Sequence, residues 1–292
     1  MLTLLMLLGC DGGDKEMGST STVTEDGLRT LDSCVTTVGE GVPAFFSTFF
    51  KCVALTQEGD STLISFNGLP PHRSPYYPDD DPNWVEFDTS NGRFQNPNAI
   101  AEQDLLVRIV ADPVPLGLTI SEAMVDEEAG DPEEFHAERT DGAVGVALDG
   151  VGYFHGVAAP GDLLSVEEET FDQYDAHPEM TGVYHHHGTN PAALAVLAAE
   201  GFTSSIEPGE ADLEIYGIMC DGTVVLGCVE MDGSDPESDD LDAQNGHVHD
   251  LESDSGELWF AERYHVHACG DGRVPVRTYA PEVQYYTLCN RL

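Results

Sequence analysis

The apolar positions of this chain fall in short runs of β-branched and aromatic residues set between Gly, Asp, Asn and Pro. The runs are STLISFNG from Ser61, DLLVRIV from Asp104, GAVGVALDGVGYF from Gly142, EIYGIMCDGTVVLG from Glu214, LWFAERYHVHA from Leu258 and VQYYTLC from Val283. Each has the length and composition of a strand and is bounded by turn formers, so the pattern predicts a mainly β protein. The stretch TNPAALAVLAAEGF departs from it. There Asn190 can cap, Pro191 suits a first helical position and Gly201 can terminate, which predicts one short helix.

Laid side by side, two parts of the C-terminal region repeat the same landmarks in the same order. Asp149-Gly150 corresponds to Asp221-Gly222, and Asp172 and Asp242 follow 23 and 21 residues later. His177 and His247 each come five residues after those aspartates. Tyr184-His185-His186-His187 then corresponds to Tyr264-His265-Val266-His267, with the intervening gap growing from 7 to 17 residues. The expected architecture is a β-rich domain over residues 31–292 whose C-terminal region is internally duplicated, with halves of about 143–188 and 215–268, arranged with pseudo-twofold symmetry.

The repeat also isolates a chemistry. Side chains alternate across a strand, so histidines at i and i+2 share a face with Cα atoms roughly 6.5 Å apart. The pairs His185 with His187 and His265 with His267 can each converge on one ion, and His177 and His247, expected on loops, are the natural third ligands. Three imidazoles with an open position suit zinc or copper. Asp172 and Asp242 are candidates either as ligands or as groups that orient an imidazole, and His249 is an additional candidate. His186 faces the other way in a regular strand, and Val266 at its counterpart marks it as peripheral. Tyr184 and Tyr264 share that opposite face, where packing is the expected role. The plain alternative is that these histidines are satisfied core groups; their recurrence in two clusters argues against it.

Composition narrows the partners. The chain has 292 residues, 54 acidic against 11 basic, and a formal charge of -43. Such a charge repels nucleic acid and anionic surfaces and favours cations. The acidic runs DDDPNW and DGSDPESDDLD could attract calcium but lack the spacing of an EF-hand loop, and solvated loops are the expected reading. The N-terminal MLTLLMLLGC is too short to span a bilayer, and its LLGC resembles a bacterial lipobox. Cleavage before Cys10 would leave a lipidated cysteine, with residues 11–30 as a flexible tether to the membrane. Six cysteines then remain from seven, an even number in a chain read as exported, and disulfides follow as the expectation. Of the 15 connectivities open to six cysteines, the local one is Cys34–Cys52, Cys220–Cys228 and Cys269–Cys289. No G-x-S-x-G, H-E-x-x-H or P-loop occurs.

At GVALDG, ETFDQYDAHPEMTGVYHHHG, IYGIMCDG, LDAQNGHVHD and YHVHA the chain resembles the YHYH-domain family of bacterial exported proteins. SFNGLPPH and FQNPNAIAEQ upstream are similar to that family's N-terminal stretches and extend the resemblance over roughly residues 60–290. The resemblance implies that His72, His177, His185, His187, His247, His265 and His267 stand at family histidine positions. Tyr174 and Gln244 stand where the family has cysteine, so a family disulfide at those places has no thiol to form it. Three function classes follow: a membrane-anchored binder of copper or zinc at the periplasmic or cell surface, a metalloenzyme using the same histidines, or an adhesion module in which the histidines tie loops together.

Overall fold

A computed structural model describes residues 27–117, 143–154, 164–236, 240–269 and 285–286. The candidate signal and lipidation site at Cys10, most of the tether, and Cys289 lie outside the described residues. No described helix is long and apolar enough to cross a membrane.

Fourteen strands are described, and the protein is mainly β, as the pattern of apolar runs predicts. A four-stranded sheet is built from β1 (Thr37–Val38), β2 (Ala54–Glu58), β3 (Ser61–Phe66) and β4 (Leu105–Val110), in that order. Between β1 and β2 a short helix, α1 (Ala44–Phe49), buries Phe45, Phe46 and Phe49. These rings pack into one core together with Ile64 and Val107 of the small sheet and Val146, Ile218 and Val266 of the large one. The further strands are β5 (Val114–Pro115), β6 (Ala143–Ala147), β7 (Gly152–Phe154), β8 (Ala176–Pro178), β9 (Tyr184–His186), β10 (Ile215–Met219), β11 (Val224–Leu226), β12 (Gly246–Glu252), β13 (Leu258–His267) and β14 (Tyr285–Tyr286). Strands β5 and β14 pair with each other, and the other eight form the large sheet. A one-turn helix, α2 (Leu164–Glu167), lies between β7 and β8. Helix α3 (Pro191–Ala199) is the helix expected from the alanine-rich stretch: Asn190 Oδ1 accepts from the amide of Ala193 at 2.8 Å. Gly201, at φ +81°, follows its end.

The large sheet runs β12-β13-β11-β10-β6-β7-β9-β8. Read outwards from the centre, β6-β7-β9-β8 and β10-β11-β13-β12 are the same arrangement: antiparallel, then parallel, then antiparallel. The registers agree as well. Gly152 pairs with His185 as Val224 pairs with His265, and His177 pairs with His185 as His247 pairs with His265. At the centre Gly145 opposes Met219, Val146 opposes Ile218 and Ala147 opposes Gly217. An antiparallel pair has its local twofold normal to the sheet, so both halves present corresponding side chains on one face.

The loops repeat this agreement. In each hairpin an aspartate caps the turn, Asp149 to the amide of Val151 at 3.3 Å and Asp221 to that of Thr223 at 2.8 Å. Gly150 and Gly222 follow at φ +78° and +96°, a conformation that favours glycine, as in three-residue hairpin loops. Asp175 and Asn245, two residues before the landmark histidines, both adopt φ near +55°, which Asp and Asn tolerate. His177 and His247 thus sit on strands β8 and β12 rather than on the loops expected for them, because each is drawn into the ladder by the H-x-H strand beside it.

The disulfides correct two of the three expected pairs. Cys34–Cys52 is present, but Cys228 is bonded to Cys269 across 41 residues, which excludes both Cys220–Cys228 and Cys269–Cys289. The physical reason is the parallel pairing of β11 with β13, which brings the two strand ends together although they are distant in the chain. Cys220 is disulfide-bonded too.

Candidate metal centres

Strand alternation places Tyr184 and His186 on one face of β9, and His185 on the other together with His187 just beyond the strand end. On the histidine face His185 Nε2 lies 3.0 Å from His187 Nε2, which lies 3.3 Å from His177 Nε2. All three residues are buried. Two nitrogens bound tetrahedrally to one ion at about 2.0–2.1 Å stand roughly 3.3 Å apart, so this is the spacing of a ligand set. Glu167 Oε1, from α2, approaches His177 Nε2 at 3.4 Å. Phe154 stacks on His185 with ring centroids 3.7 Å apart, and Phe171 lies parallel to His187 at 5.4 Å.

The other ring nitrogens show which tautomers are present. His185 Nδ1 is 2.9 Å from the carbonyl of Val183, and a carbonyl only accepts, so Nδ1 carries the hydrogen. His185 therefore turns a bare Nε2 lone pair towards His187, whose Nε2 also faces that of His177. His177 Nδ1 lies 2.6 Å from the Thr170 hydroxyl, which donates to the carbonyl of Glu167 at 2.7 Å, and 3.4 Å from the side-chain amide nitrogen of Asn96. Burial, followed by the neighbouring imidazoles His177 and His187, pushes the His185 pKa well below its ordinary value, keeping it neutral and ready to ligate.

The second cluster repeats this plan with more donors. His265 Nδ1 donates to the carbonyl of Arg263 at 2.9 Å, His267 Nδ1 to that of Gly227 at 2.8 Å and His249 Nδ1 to that of Asp250 at 2.7 Å. Their Nε2 atoms and that of His247 surround Glu230. Oε1 lies 3.0 Å from His247, 3.2 Å from His249 and 3.1 Å from His267, and Oε2 lies 3.3 Å from His265. Burial works against ionisation of Glu230, but the surrounding imidazoles of His247, His265 and His267 outweigh it and hold the carboxyl far below the usual carboxylate range. Burial lowers the His265 pKa. For His249 burial acts in the same sense, but the Asp250 carbonyl and the Glu230 carboxylate prevail and raise it. Two groups whose ligand atoms all lie within 4.8 Å of one another, His177 with His185 and His187, and Glu230 with His247, His249 and His265, could hold a metal ion.

The clusters do not meet. Five strand spacings separate β9 from β13, about 24 Å at the usual interstrand distance. The second cluster opens on a cleft of about 850 Å³ lined by Glu230, His247, His249 and several aspartates.

The remaining candidates take other places. Asp172 Oδ2 accepts from Ser74 at 2.5 Å and from the Tyr184 hydroxyl at 2.8 Å, and Asp242 Oδ2 accepts from the Tyr264 hydroxyl at 2.8 Å. These aspartates and tyrosines tie each loop to its H-x-H strand from the face opposite the imidazoles. His72 stacks on Tyr174 at 3.6 Å, also away from the clusters. Gln244, the other position where the resemblance expects cysteine, donates to the Tyr264 hydroxyl at 2.7 Å. His186 points away from His185, as alternation requires, with Nε2 3.9 Å from Asp149 Oδ2. Sequence reasoning missed Glu167 and Glu230. Each lies in the connection between the hairpin and the landmark aspartate of its half, but at 5 and 12 residues before it, among 54 acidic residues, so spacing gave no signal.

A family model described as YHYH protein matches residues 122–255. The matched stretch contains Glu167, His177, His185, His187, Glu230, His247 and His249, and ends before His265 and His267. The searches of curated proteins and of solved structures return no match.

Proposed function

We propose that this chain, which carries a YHYH region over residues 122–255, is an exported, lipid-anchored protein that binds copper or zinc in two histidine–glutamate sites, one in each half of the large sheet. The observation that carries the reading is that Nδ1 of His185, His249, His265 and His267 is committed to backbone carbonyls while Nε2 atoms within each cluster approach one another to 3.0–3.3 Å. Metal-ligating histidines characteristically have their second nitrogen fixed in this way. Donor chemistry favours zinc or copper, since neutral imidazole suits both and every described cysteine is disulfide-bonded. Calcium, which takes oxygen ligands, fits neither cluster. Export and anchoring rest on the LLGC motif at Cys10 and on the disulfides, which persist in oxidising compartments.

Metal analysis of the full chain refolded from chelator tests the reading. About two equivalents of zinc or copper are expected, falling by one in the His185→Ala/His187→Ala variant, with loaded protein stabilised by about 2.7 kcal/mol for each occupied site at a hundredfold excess over Kd. Absence of stoichiometric metal, with stability unchanged on adding either ion, would remove it.

A metalloenzyme is the second reading, favoured by the cleft at the second cluster, where an ion could keep an open position and activate water. Turnover in an activity panel that disappears in a His265→Ala/His267→Ala variant would support it; metal retention without turnover leaves the binder.

A further inference from the structure

The two clusters stand on the same framework, so their differences are informative. In the first half His177, His185 and His187 are only 4%, 1% and 2% exposed, and the rings of Phe154 and Phe171 lie against two of them. In the second half the strand register puts Leu226 at the place of Phe154, and the aspartate landmark puts Leu241 at that of Phe171. Neither supplies a flat ring. Where the first half has Glu179, two residues after its landmark histidine, the second has His249, whose side chain is 40% exposed at the cleft and 3.2 Å from Glu230. The cleft wall adds Asp232, Asp235, Asp240, Asp250 and Glu262.

We propose that the second cluster is the exchange site, which takes up and releases a divalent first-row metal ion through the acidic cleft with His249 as the entry ligand, whereas the first cluster is a closed site that holds its ion under aromatic cover. The inference rests on the metal-binding reading and assigns the two sites different tasks. Carboxylates on the cleft wall raise the local cation concentration. A half-exposed imidazole can bind an ion that still carries water and pass it to the buried nitrogens, so ligands replace water one at a time. Release from the first cluster needs a local opening that displaces Phe154 or Phe171, and such openings are rare in a packed region.

The test is stopped-flow release of zinc from the fully loaded chain into excess chromogenic chelator. Two phases of equal amplitude are expected, with rates at least tenfold apart. The His265→Ala/His267→Ala variant loses the fast phase and His185→Ala/His187→Ala the slow one. Since those buried pairs could be needed for folding, two milder variants make the assignment independently. Phe154→Leu, which copies the second half, speeds the slow phase several-fold and leaves the fast phase in place. His249→Ala slows zinc uptake at the fast site alone. A single phase, or a fast phase that survives loss of His265 and His267, overturns the division of tasks while the metal reading stands. A chain that binds no zinc or copper overturns both.

Discussion

At the scale of single residues, the pseudo-symmetry supplies a control for each position. Asp221 has both carboxylate oxygens satisfied by Thr223, through its amide and its hydroxyl at 3.0 Å. Its counterpart Asp149 faces Val151, which has no hydroxyl, and among the described residues its Oδ2 makes no hydrogen bond and forms an ion-pair contact with His186 Nε2 alone, at 3.9 Å. All of these groups are buried. A third histidine in the first half thus faces a carboxylate oxygen whose counterpart in the second half, where a valine stands, is satisfied locally. Replacing His186 with valine is expected to cost about 1–3 kcal/mol, because it puts an apolar side chain where an imidazole nitrogen now faces a buried carboxylate oxygen. Adding Val151→Thr restores most of the loss. Denaturant melts of the two single variants and the double variant measure the coupling, and strictly additive changes would contradict the account.

At the scale of elements, legibility followed local information. The two hairpins β6–β7 and β10–β11, strand β13 and helix α3 were readable because apolar runs, Asp-Gly turns and an Asn-Pro start are local signals. Strands β8 and β12 were not, since AHP and GHVHDLE carry no apolar alternation and become strands only by pairing with β9 and β13. Helix α1 was hidden for a related reason: AFFSTF is too short to show a helical period, and its rings are fixed by the core they enter. The H-x-H pairs and their third histidines were legible through the repeat, whereas the glutamates were brought in by connections of unequal length. The covalent link Cys228–Cys269 depends on tertiary pairing in the same way. It joins the end of β11 to the chain just beyond β13, beside the Gly227 carbonyl that holds His267. Replacing both cysteines with alanine is expected to lower stability by about 4 kcal/mol on the loop-entropy relation, measured by denaturant unfolding. It should also loosen the second metal site more than the first.

At the scale of the whole molecule, one sheet carries two ligand clusters on a single face, far enough apart to act separately and supported from behind by equivalent Asp–Tyr hydrogen bonds. The net charge of -43 suits a protein whose partners are cations, and the cleft concentrates that charge at the more open cluster. The central claim is that these imidazoles hold metal. Anomalous diffraction from crystals of the zinc- or copper-loaded chain addresses it most directly. The account predicts two peaks about 24 Å apart, one bounded by Nε2 of His177, His185 and His187, the other within the cluster of His247, His249, His265 and His267 around Glu230. Metal found only on exposed carboxylates, with both histidine clusters empty, would contradict it.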